Sequence, residues 1–570
     1  MIQNLNANVK RAIVLSLILN SALAFSGYFI HTYDSYPHMF FADHYRRAWF
    51  DSWEPKWYTG FNIAGYPPLA HQILALLSFI FGLEAAYVAI TLLLMTLMPL
   101  AIFRFSKLFV SEEAAEYAAI ISVFLPGILL SVYGWGQYTT LFGLFFTLLT
   151  VSAFYKYLKK GGLIDFAELI FLFEVTIASH HFSGIFCAPF LFFSTFFTML
   201  IRKDINYKTG LKRVFLFLGV GSLLSVVIMY PVLFGAVGQN VNLPHPTTMN
   251  YFINLDLLWS FFVSMYGFFL LLISLTILVV WHRRDLLPLF FIALFLMVLG
   301  LGGTTFLPSV VFGENWLGLT YDRFNLFASL AFVPLLGQVC LSLRRSKRGK
   351  AFFGIFLLLS IVFAGFVGAT SSLYPHPKDV PVNDIVDFLN KDQHWQWRYL
   401  TLGFGAYDFG KLSILSNATT IDGWYYRGRD IPALANSSVG YLSDAKSEKN
   451  GMLVLRSILD NSSQYNLKFV FCNDKFYEPM LNETGFIFIF SFEQVTLWEK
   501  PGTPPLEIDK IVRTDHVPTF FDYSWGIIPM TWLVGYTFIG ISKIYRNRCA
   551  SKQLGKVLLQ YSHGLTFLSS

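Results

Sequence analysis

The sequence predicts a polytopic α-helical membrane protein with about twelve transmembrane helices and one extracytoplasmic α/β domain. Three observations carry this. Apolar runs long enough to cross the ~30 Å hydrocarbon layer repeat along most of the 570 residues. Hydrophobic residues make up 55% of the chain and charged residues only 14%, too few to cover a soluble protein of this size. Cations recur in alternate short loops, as the positive-inside rule requires. The net charge of +7 is accounted for by those loops, so no nucleic-acid partner is expected.

Lys10-Arg11 precede an apolar run over 12–30, read as a retained signal anchor with a cytoplasmic N-terminus. The stretch 67–105 is too long for one span. Its first part, 67–82, reads as an interfacial or re-entrant helix and 84–105 as the second span. Further spans are expected at 115–134, 138–157, 163–179, 182–201, 213–236, 257–281, 285–302, 322–343, 350–371 and 525–544. On this count the basic groups at Arg104/Lys107, Lys159-Lys160, Arg202-Lys203, Lys212-Arg213, Arg283-Arg284, 344–348 and Lys543 share the side of Lys10-Arg11. Counting 67–82 as a full span would reverse every later loop. The C-terminus is then cytoplasmic too.

The domains follow: 1–371 transmembrane, with a first outer loop at 31–83; 372–522 extracytoplasmic; 523–570 a last span and tail. The outer segment carries Asn-x-Ser/Thr sequons at Asn417, Asn436, Asn461 and Asn482, expected to be glycosylated. A helix is expected at 382–391 and strands at 398–404, 467–472, 485–492 and 494–499. Cys187, Cys340, Cys472 and Cys549 have neither metal nor disulfide spacing, and no internal repeat favours a transporter built from halves.

The first outer loop is the densest part of the chain in chemistry. It packs Asp34, Asp43, Asp51, Glu54, His38, His44 and many aromatics between a span and an interfacial helix. Long loops of this composition at a membrane surface are more often functional than connective; an interfacial aromatic belt is the plainer reading.

Within that loop, Asp43-His44-Tyr45, Trp57, Gly60-Phe61-Asn62 and Gly65-Tyr66-Pro67-Pro68-Leu69 resemble the first outer loop of GT-C glycosyltransferases. That superfamily includes protein O-mannosyltransferases, the aminoarabinose transferase of lipid A and the catalytic subunit of oligosaccharyltransferase. The similarity in topology covers roughly 1–370 and is greatest to archaeal membrane proteins labelled "6-pyruvoyl-tetrahydropterin synthase-related", although no zinc motif of a soluble pterin synthase is present.

The resemblance implies an inverting transferase that takes a sugar from a polyprenyl (dolichyl) phosphate to a glycan, lipid or protein acceptor outside the cell membrane. Phosphate is a good leaving group, so one carboxylate acting as base on the acceptor suffices. Asp43 is the first candidate and Asp34 the second; the alternative for either is a helix cap or a partner for Arg46 or Arg47. Arg323, opening the tenth span, would bind the donor phosphate, because its fork suits phosphate oxygens; snorkelling or a pair with Asp322 is the alternative. His44, His180 and His181 are further phosphate candidates. Glu314 would serve acceptor or metal.

Two departures from oligosaccharyltransferase stand out. Tyr133-Gly134-Trp135-Gly136-Gln137-Tyr138 replaces an acidic pair, which leaves a divalent metal (Mg or Mn) optional. Asp422-Gly423-Trp424-Tyr425-Tyr426 is a faint echo of the acceptor motif. An oligosaccharyltransferase-like enzyme and a lipid-linked glycan flippase remain the alternatives.

Overall fold

The computed structural model of the protein describes residues 5–233, 245–370, 380–425, 431–437, 439–507 and 517–565. Residues 234–236 of the seventh expected span, residue 371 of the eleventh, the domain start at 372–379 and Tyr426 lie outside them.

Eight helices are long and apolar enough to cross a membrane, and two pairs bent by 42° and 59° bring the number to ten among the described residues. They are α1 (Ala7–Ala24), α4 (Leu83–Ser106), the bent pair opened by α5 (Glu112–Ser122), α6 (Tyr138–Lys160), α8 (Ala188–Ile201) joined to the π-turn Ser183–Cys187, α9 (Tyr207–Leu233), the bent pair closed by α10 (Phe269–His282), α12 (Asp322–Leu343), α13 (Lys347–Thr370) and α15 (Phe520–Leu565). The dozen expected from sequence also counted α7 (Leu163–Ser179) and α11 (Leu287–Leu299). The first carries three carboxylates and the second has 13 residues, so neither passes on length and hydropathy alone.

Two elements precede α4. Helix α2 (Ser35–Arg47) is buried from Ser35 to Tyr45, and its His44, Arg46 and Arg47 fall in the last turn, where the helix dipole favours cations. Helix α3 (Leu69–Phe81) begins after Pro67-Pro68 and stops at Gly82, whose φ of 79° turns the chain directly into α4. At ~1.5 Å per residue α3 is too short to cross a bilayer.

Contacts between loops show which helix ends lie together. Asn6 donates to Glu112 at 2.7 Å and Glu116 at 2.6 Å. Arg202 reaches Leu108 O at 2.6 Å and Asp285 at 2.7 Å, Lys159 pairs with Asp204 at 3.7 Å, and Arg344 donates to Tyr117 at 2.8 Å. The expected basic loops thus gather at one end of the bundle. Asn6 and Glu112 can meet only if the chain crosses an even number of times between them, which α1 and α4 provide and a crossing α3 would not.

At the other end sits a small α/β unit. Its sheet has strand order β1 (Arg398–Leu402), β2 (Leu467–Cys472), β4 (Val495–Glu499), β3 (Ile487–Phe492), parallel at β1–β2 and antiparallel elsewhere. Helix α14 (Val382–Asn390) packs on it through Phe388, edge-on to Phe469 at 5.2 Å. The unit is fastened to the first outer loop. Lys56 donates to Ser413 O at 2.8 Å and Ile414 O at 3.1 Å, and Trp57 donates to Ser413 Oγ at 2.9 Å while stacking on Phe40 at 3.8 Å.

Candidate active site

The site forms where the start of α2, the turn before α6, the end of α7, the start of α12 and one segment of the outer domain converge. Asp34 is the residue before α2. Its backbone N–H donates to Trp135 O at 3.1 Å and its carbonyl accepts from His38 at 3.0 Å, which fixes it against the turn before α6. That turn comes close because of Gly136 (φ 74°): a Cβ there would stand 2.8 Å from Ser35 N and 2.7 Å from Thr32 Oγ1. The Asp34 side chain accepts from the Trp424 indole at 3.4 Å. Burial pushes its carboxyl up to about 6, against the opposing pull of Arg323 and the Trp424 hydrogen bond, with Asp322 adding to the rise.

Arg323, in the first turn of α12, donates to Thr140 Oγ1 and pairs with Asp322 at 3.5 Å. Gln137 donates to the same Asp322 carboxylate at 3.5 Å. His180 caps α7. Its Nδ1 accepts from Ser183 N at 3.3 Å, so Nε2 carries the proton and points it at Thr140 Oγ1, 3.5 Å away. Gly143 makes room for this ring, since a Cβ there would lie 2.6 Å from His180 Cβ. Several buried polar atoms here make no hydrogen bond among the described residues: Arg323 Nε, Asp322 Oδ1, Gln137 Oε1 and His181 Nε2. Buried polar groups are almost always satisfied, so these atoms have room for a further partner, whether water or ligand.

His38 belongs to the site as well, with no role assigned to it from sequence. His71 Nδ1 donates to Pro67 O at 3.0 Å, so His71 Nε2 accepts from His38 Nδ1, also at 3.0 Å. The proton positions leave His38 Nε2 as a free lone pair. Burial, then His71, Arg323 and His180, hold His38 well below the ordinary histidine range. Two π-helical turns, Leu130–Gly134 and Ser183–Cys187, flank this region; such turns tend to occur at functional sites and leave no mark in hydropathy.

Other expected residues lie elsewhere. Asp43 faces Arg47 at 2.8 Å and Arg46 at 3.4 Å, and Arg47 also binds Glu54 at 2.7 Å. Burial alone would raise the Glu54 carboxyl, but Arg47, His44 and Lys56 hold it well below the usual range. His44 donates one ring nitrogen to Glu54 at 2.8 Å and the other to Asp51 O at 2.6 Å, which leaves neither for a phosphate. This charged set braces the loop. Glu314 is exposed on the 3-10 turn Gly313–Gly318, outside the buried cluster. Glu174, fully buried on α7, accepts from Ser225 at 3.1 Å.

Among the described residues no three His, Cys, Asp or Glu side chains converge, and the second carboxylate near Asp34, Asp322, is engaged by Arg323.

No family model and no curated protein matches the sequence. Solved structures do match in fold. The Archaeoglobus fulgidus oligosaccharyltransferase, in complex with Zn and sulfate, superposes with a TM-score of 0.53 over 87% of this chain and 73% of that one, at 13% identity. The same organism's AglB, with an inhibitory peptide and a dolichol-phosphate, gives 0.51 over 90% and 77%, at 14% identity. The arabinofuranosyltransferase AftD from Mycobacteria gives 0.50 over 86% of this chain and 39% of its own, at 12% identity. The chain therefore has the GT-C glycosyltransferase fold. At these identities the likeness concerns the fold.

Proposed function

We propose that the protein is an integral-membrane inverting glycosyltransferase that moves a sugar from a polyprenyl-phosphate donor to an extracytoplasmic acceptor. The observation that carries this reading is one carboxylate, Asp34, held within electrostatic reach of one incompletely satisfied cation, Arg323. The acceptor hydroxyl gives its proton to Asp34 as its oxygen attacks the anomeric carbon opposite the phosphate. The bond from that carbon to the phosphate oxygen breaks, the anomeric centre inverts, and polyprenyl phosphate leaves with its new charge on Arg323 and the His180 N–H. Asp34 later loses the proton to water. No metal enters these steps.

Asp34 replaces Asp43 as the proposed base because Asp43 is already committed to two arginines. The narrower kinship, with archaeal membrane proteins of the pterin-synthase-related label, is part of the same reading and rests on the first outer loop. The orientation, with both termini cytoplasmic and 372–522 outside, also belongs to this reading and rests on the cations of alternate loops and on the sequons.

The test is to incubate purified protein with a panel of polyprenyl-phosphate sugars and follow donor consumption beside an Asp34→Asn control. Turnover lost in the variant is the expected result. Donor moved across vesicles without being consumed would replace this reading by the flippase.

A further inference from the structure

The segment of the outer domain that reaches Asp34 is built as a wall of aromatic rings. Trp424 stacks face to face on Tyr441, with centroids 4.0 Å apart and planes 15° from parallel. Tyr33, the residue before Asp34, lies 5.5 Å from Trp424 with its plane tilted by 45°. The rings come from three separate stretches of chain, and the two outer-domain stretches are tied together. Asp422 accepts from Ser443 N at 3.0 Å and from its neighbour Gly423 N at 2.9 Å, which sets Trp424 beside Tyr441. Tyr58 N donates to Asp422 O at 3.4 Å and anchors the same segment to the first outer loop. The wall is thus fixed before any ligand arrives. It is also open: Tyr33 is 64% exposed, and Trp424 and Tyr441 are half-buried.

Trp424 packs against the core and holds a carboxylate by its N–H, while Tyr33 beside it stays largely exposed. A half-open stack with a base at its edge suits a ligand that is flat and apolar on its faces and hydroxylated at its rim. A pyranose or furanose ring is such a ligand: its axial C–H bonds lie on the electron-rich ring faces while its hydroxyls project sideways. We infer that the acceptor is a carbohydrate whose sugar ring stacks on Trp424, Tyr441 and Tyr33 and presents one hydroxyl to Asp34. This rests on the transferase reading and names its acceptor class. A single carboxylate base also suits a hydroxyl nucleophile better than a peptide amide, whose nitrogen lone pair is delocalised into the carbonyl.

The experiment uses the full-length protein in detergent, the donor it consumes, and two acceptor sets: nitrophenyl oligosaccharides of mannose, glucose and galactose, and sequon- or serine/threonine-containing peptides. Donor consumption by the wild type without acceptor is measured separately. The expected result is transfer to at least one oligosaccharide, with Tyr441→Ala and Tyr33→Ala each raising acceptor KM about tenfold while kcat changes much less. Tyr441→Phe, which keeps the ring, should stay near wild type and guards against mere misfolding. Preferential transfer to peptide overturns the inference. So does donor turnover with no oligosaccharide product, or an oligosaccharide KM indifferent to both ring deletions. No donor turnover at all in the wild type overturns the transferase reading itself, and this inference falls with it.

Discussion

Asp34 and Asp43 stand at opposite ends of one short helix and do different work. Asp43 lies between two arginines and braces the loop; Asp34 accepts from Trp424 and feels the charge of Arg323, whose ion pair is with Asp322. Replacing each by asparagine should separate the roles. Asp34→Asn is expected to cut turnover by ~10²-fold or more with an unchanged thermal midpoint, the usual range for loss of a general base. Asp43→Asn should lower the midpoint and keep most turnover; the reverse pattern would return the base to Asp43. Because the Asp34 carboxyl is pushed up to about 6, and a base works only when deprotonated, kcat/KM should fall as pH drops through about 6. The Trp424 N–H stabilises the charged form, so Trp424→Phe should move that limb to higher pH. A limb that stays in place would show that this bond does not tune the base. Nothing in the sequence distinguished these two aspartates, since both precede or follow histidines and aromatics in the same loop. The His38–His71 pair was equally hidden: its members are separated by the loop, and only the fold stacks them, centroids 5.3 Å apart.

At the scale of elements, the site depends on how closely the turn before α6 approaches α2 and on how the outer domain is held down. Gly136 has no room for a side chain, and Trp57, fully buried, is the bolt between the first outer loop and the Ser413 region. Trp57→Ala should cost about 3–5 kcal/mol of stability, read as a lower thermal midpoint in detergent, and should weaken turnover by loosening the segment that carries Trp424. A variant as stable and active as the wild type would mean that the domain is held by other contacts. The limits of the short strands were largely legible in the pattern: β2 falls on the expected residues, β3 and β4 begin two and one residues late, and β1 ends two early. The π-turns and bends were not, because they arise from packing between helices and not from local propensity.

For the whole molecule, the last helix serves as a ruler. Trp49 and Gln72 of the first outer loop donate to Gly526 O at 3.0 Å and 3.1 Å, whereas Lys543 on the same helix pairs with Asp165 at 3.7 Å beside the basic-loop end. At ~1.5 Å per residue the two points lie ~26 Å apart, close to the thickness of a hydrocarbon core. The active site and the outer domain therefore share one face and the basic loops the other. The four sequon asparagines, Asn417, Asn436, Asn461 and Asn482, are all exposed on that outer domain. Mass spectrometry of the native protein should find glycan on at least one of them, and protease added to intact cells should cut within 380–507. Protection of that domain in intact cells would invert the proposed orientation.

Composition and apolar run length were enough to determine a helical membrane protein and a short apolar helix at 69–81 set apart from the longer ones. These are one-dimensional properties set by transfer of each segment into lipid. Which carboxylate faces the cation, which histidine keeps a free nitrogen and which aromatic rings stand at the base were decided only by tertiary structure. Each is a matter of a few ångströms between segments far apart in the chain, as when Trp424 of the outer domain reaches Asp34 of the first loop.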